Sequence, residues 1–141
     1  MSALNIIAVV VAWLLTAFLS FVYYKAGSFK LTASVETLLG AGFAWVKHLP
    51  LGVVRAIAAL ELLGVAGIIL APLASEFLGF GWAQPWGVAA AAGLTLTMLV
   101  AAIMHIVRGE FKYTYKNNIA LLLASTVLTV LLASVGAPLF A

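Results

Sequence analysis

The sequence predicts an all-α integral membrane protein, four spanning helices gathered in one bundle, and three observations carry that prediction. Only 11 of 141 residues are Asp, Glu, Lys or Arg, or 8%, against about 25% in an ordinary soluble domain. Apolar residues make up 66% of the chain and its mean hydropathy is +1.24. Four stretches each supply about 20 mostly apolar residues, the length that crosses a bilayer core. A soluble fold of this size lacks the polar surface it would need, and disorder requires the opposite composition.

The first span is predicted over residues 5–24, with no charge inside it. A signal peptide would place basic residues ahead of its apolar core. Here Lys25 and Lys30 follow it, so it reads as a retained helix. The segment 26–50 is too long for a turn. Leu31, Val35, Leu38, Leu39, Phe43 and Val46 share one face at 100° per residue, which predicts a short amphipathic helix along the membrane surface. It serves either as a lid over the bundle or as a gate or partner surface. The second span, 51–73, contains Arg55 and Glu61; the third, 85–107, and the fourth, 119–138, contain no charge. Together they make residues 1–141 a single domain.

The basic residues set the orientation. Lys25, Lys30 and Lys47 lie between spans one and two, Arg55 lies just inside span two, and Arg108, Lys112 and Lys116 lie between spans three and four. All seven therefore fall on one side, which the positive-inside rule makes cytoplasmic in an inner (plasma) membrane, with both termini outside. Tyr23, Tyr24, Trp45, Phe111, Tyr113 and Tyr115 are expected at the inner interface, and Phe80, Trp82 and Trp86 at the outer one.

Glu61 is the residue to explain. It lies ten residues into span two, about 15 Å deep at 1.5 Å per residue. A charged acid there costs roughly 3 kcal/mol on insertion scales. It must face the bundle interior and be either protonated or paired. Thr16, Thr97, Ser125, Thr126 and Thr129 are the polar residues expected at similar depth. Glu61 is then a ligand or proton site, or a polar residue that fixes packing. Arg55, six residues earlier, is off its face; it either snorkels to lipid phosphate or holds an anionic head group at a cavity mouth. His105 lies at the depth of Arg55. With His48 it makes too small a ligand set for zinc or haem, and no metal is expected. There is no cysteine, which removes thiol chemistry. No phosphate loop or nucleic-acid signature occurs.

Three motifs carry a family resemblance. YYKAGSFKL (residues 23–31) ends span one, RAIAALELLGVAGIILAP (55–72) forms span two, and HIVRGE (105–110) closes span three. In order and spacing they resemble the DoxX-like family of small four-helix membrane proteins. The resemblance covers most of the chain, and its matching positions are Lys30, Arg55, Glu61, His105 and Glu110. It implies a compact four-helix bundle. Relatives are associated with quinone-linked oxidoreductases and with accessory membrane roles, and distant animal relatives with receptor assembly and cargo export.

The functional expectation is an accessory subunit, or a binder of a lipid or quinone-like molecule near Glu61, with Arg55, His105, Lys30 and Thr16 as further candidate ligand-binding residues. The alternatives are a membrane-embedded oxidoreductase or isomerase and a small proton-coupled transporter. No resident cofactor is expected, since the sequence has no cofactor-binding motif; a quinone or lipid would be a diffusible partner. The other partners expected are the bilayer itself and a membrane complex or a second copy, with no nucleic acid.

Overall fold

Apolar residues recurring every three or four positions leave each long segment one way to bury a stripe, as a helix against other helices. The computed structural model describes residues 2–135. Helix α1 spans Ala3–Thr32, opened by the Ser2 hydroxyl, which accepts the Asn5 amide at 3.1 Å. A short α2 covers Val35–Gly40, and a 3-10 turn covers Ala44–His48. Helix α3 runs over Leu51–Phe77, α4 over Gln84–Val107 after a 3-10 turn at Gly81–Ala83, and α5 over Phe111–Val135. Among the described residues, four helices are long and apolar enough to cross a membrane.

The long helices form a ring. α1 packs on α3 and α5, and α4 packs on α3 and α5. Leu19, Tyr23, Ile68, Leu94, Leu128 and Leu132 are buried at its centre. Leu14, Leu63, Leu70, Val100 and Leu123 face outward and exposed, which suits hydrocarbon surroundings. Glycine sets the α3–α4 distance: a Cβ on Gly67 would lie 2.5 Å from the Ala90 Cβ. Such close backbone approach is the usual basis of helix contact in lipid, where apolar surface alone gives helices no reason to associate.

Two differences from the sequence expectation matter. First, α1 continues eight residues beyond Tyr24. Lys25 and Lys30 end a hydropathy window, yet the backbone goes on, because Lys25 sits on the exposed face with its Nζ 5.3 Å from the Phe21 ring centroid, and Gly27 lets α1 approach Leu62 and Ala58 of α3. Second, the linker to α3 is two short helical pieces rather than one amphipathic helix. Gly42, at φ 95°, divides them, a backbone position that favours glycine. Leu38 and Val46 are buried as expected of that face, but Trp45 joins them, against Val54, Phe29, Phe43 and Met104. The linker thus covers one end of the bundle. The last residues of predicted span four, 136–138, lie outside the described residues.

Candidate functional site

Lys30 stands in the last turn of α1 and Glu61 in the first half of α3, and the two helices bring them together. The Lys30 Nζ lies 2.6 Å from the Glu61 Oε2, with side chains only 7% and 5% exposed. Among the described residues that oxygen has no other polar partner. The Trp45 ring lies over the ammonium, its centroid 5.9 Å away, a distance at which the ring quadrupole attracts a cation. Sequence reasoning puts Lys30 in a loop; its place in a helix makes the pair possible.

The pair opens onto a cavity of about 380 Å³, within the range of small-molecule sites. Its polar wall comes from Lys30, Glu61, Tyr23, His105, Thr97, Asn117 and Asn118; Trp45 and Phe43 of the linker close one side, and the remainder is aliphatic or methionine. The Tyr23 hydroxyl donates to the Leu94 carbonyl at 3.2 Å. The Asn118 amide donates to the Met98 Sδ at 3.4 Å. Tyr23 and Asn118 are thereby each held in place by a neighbour.

His105 is fixed from the α4–α5 turn. Its Nδ1 lies 3.1 Å from the Glu110 Oε2, while Arg108 donates to the Oε1 from Nε at 3.0 Å and approaches it with Nη2 at 2.8 Å. Gly109, at φ 72°, makes the turn tight enough for this. The Arg108 and His105 hydrogen bonds hold the Glu110 carboxyl below the usual carboxylate range. Ionised, it can only accept, so Nδ1 carries the proton in this contact.

Arg55 does not line the cavity. It donates from Nη1 to the Lys30 carbonyl and from Nη2 to the Ala33 carbonyl at 2.7 Å. These are carbonyls at the end of α1, which have no partner within the helix and carry its negative dipole end. Arg55 therefore acts as a clamp that positions Lys30. Thr16 is buried but lies 14 residues before Lys30 on α1, about 21 Å along the axis, and its hydroxyl donates to Ala12. Ser125, Thr126 and Thr129 likewise donate within α5, so none of them partners Glu61. Among the described residues no three of His, Asp or Glu converge as a metal site.

The sequence profile of the DoxX-like family matches residues 14–134. The chain belongs to the DoxX-like family. Neither curated proteins nor solved structures give a significant match. In this DoxX-like protein the five positions of the resemblance fall into two connected groups: Arg55, Lys30 and Glu61 between α1 and α3, and His105 and Glu110 at the end of α4. Both groups reach the cavity, through Lys30 and Glu61 in one case and His105 in the other.

The clamp is testable. Arg55→Met keeps the apolar stem and removes both hydrogen bonds, at a cost of about 3 kcal/mol for two charge-assisted bonds. Hydrogen exchange should rise at residues 30–34 and stay unchanged in the middle of α4. Unaltered exchange at 30–34 contradicts the role given to Arg55.

Proposed function

We propose that this DoxX-like protein binds a neutral hydrophobic molecule with a carbonyl- or hydroxyl-bearing head, a neutral lipid or a quinone-like ring, as an accessory component of its membrane. The observation that carries the reading is the Lys30–Glu61 pair at 2.6 Å on the wall of a largely apolar cavity. A ligand site of this kind combines apolar walls with a few placed polar groups. Lys30 has donors for a head-group oxygen, and Glu61 accepts from a hydroxyl. Because the two charges already compensate each other, an anionic head would bring an unbalanced charge into a medium where that is costly. A neutral head avoids the cost.

Binding should show as thermal stabilisation of the purified protein. A ligand at a hundred times its Kd adds about 2.7 kcal/mol, which raises the melting midpoint by several degrees. Neutral monoacylglycerols and benzoquinones are the probes, with a fatty acid as the charged comparison. Glu61→Gln should abolish the shift. A shift that survives in that variant removes Glu61 from the site, and no shift with any neutral probe contradicts the reading.

We also infer a plasma-membrane topology in which the His105 end of the cavity faces the cytoplasm and the N-terminus faces out. All seven basic residues lie toward that end of the helices. The absence of native cysteine makes labelling direct. In intact cells an impermeant maleimide should label Ser2→Cys, and should label Lys47→Cys only after permeabilisation. The reverse pattern inverts the topology.

A further inference from the structure

A second concavity of about 490 Å³ runs between α3 and α4 on the outer surface of the bundle. Gly93 and Ala89 leave it hollow on the α4 side, Gly64 and Gly67 are packed against Leu94 and Ala90, and Trp86 stands at its far end. It adjoins the cavity: Leu60, Leu96 and Thr97 line both. Thr97 is the only polar residue at that junction, and its hydroxyl donates to the Gly93 carbonyl of its own helix at 2.9 Å. No unsatisfied polar group therefore bars an apolar chain from passing between the two.

We propose that the groove seats the apolar tail of a long single-chain amphiphile whose neutral head occupies the cavity. The inference rests on the cavity reading above and adds the tail and its length. From His105 to Trp86 is 19 residues of α4, about 29 Å along the cavity and the groove taken end to end. One leaflet of hydrocarbon is about 15 Å deep, so the track outruns a chain confined to one leaflet. Its occupant crosses the midplane, as a long unbranched or isoprenoid chain does. Lipid already surrounds the groove, so transfer from water supplies little selectivity; shape does, through contacts that are individually small and collectively large.

Gly93 gives a clean way to close the track. A Cβ there meets nothing within 4 Å, so Gly93→Leu fills the groove without disturbing the helix contact. Ala89→Leu, also on the groove and exposed, is the second variant should the first fold poorly. Binding is measured in detergent at fixed mole fractions with chainless, decyl and long-isoprenoid benzoquinones, and in parallel with short- and long-chain monoacylglycerols. The wild type should bind the long member of one series about tenfold more tightly than the short one, roughly 1.4 kcal/mol. The filled variants should lose that gain and keep the short-member affinity. The series that shows the gain names the head. Equal affinity along both series, or a gain that survives both variants, overturns the groove while leaving the cavity reading intact. No binding of any member to the wild type overturns both.

Discussion

A charge cannot stand alone inside a membrane. Moving an isolated ion into a low-dielectric medium costs several kcal/mol even after relaxation, and only a close counter-charge offsets that. The Lys30–Glu61 contact answers this constraint, and much of the Lys30 end of the bundle follows from it. α1 must continue past its last uninterrupted apolar stretch to carry Lys30 inward. α3 must turn Glu61 to the same seam. Gly27 lets the two helices come close at that level, with Leu62 and Ala58 against it.

The surrounding groups then have readable tasks. Arg55 ties off the end of α1 at the carbonyls of Lys30 and Ala33, so the ammonium is held from its own backbone. The linker folds back and lays Trp45 against the ammonium. On the other wall, Glu110 fixes the tautomer of His105 from the α4–α5 turn. A cavity built this way presents a few immobile polar atoms to an apolar interior. That arrangement supports the proposed reading, in which the cavity orients a neutral head group.

Much of the fold was legible because four apolar stretches and one-sided basic residues reflect the solvent directly. The helix ends were not. Hydropathy stops at Lys25, whereas the buried positions of α1 run Val9, Ala12, Thr16, Leu19, Tyr23, Gly27 and Lys30, an unbroken three-and-four spacing. Periodicity carried through the lysine would have placed Lys30 on the core face beside Tyr23. Glu61 was found from depth alone, because its cost there does not depend on its partner. Its partner was missed because a lysine at the apparent end of a span is ordinarily a snorkelling residue. Tyr23 and Trp45 were expected at the interface for the same reason: an aromatic ring with a polar tip suits a headgroup layer as well as a cavity wall. Asn118 gave no signal, lying where the fourth span was expected only to begin.

The central claim is that Lys30 and Glu61 act as one buried unit, and a double-mutant cycle in stability tests it most directly. Lys30→Met and Glu61→Leu are made singly and together, and unfolding is followed in mixed micelles. The pair predicts that each single variant loses about 3–5 kcal/mol, because it strands the other charge, and that the double variant recovers most of the loss. Additive losses, with the double variant worse than either single, would show that the two charges are held independently and contradict the account.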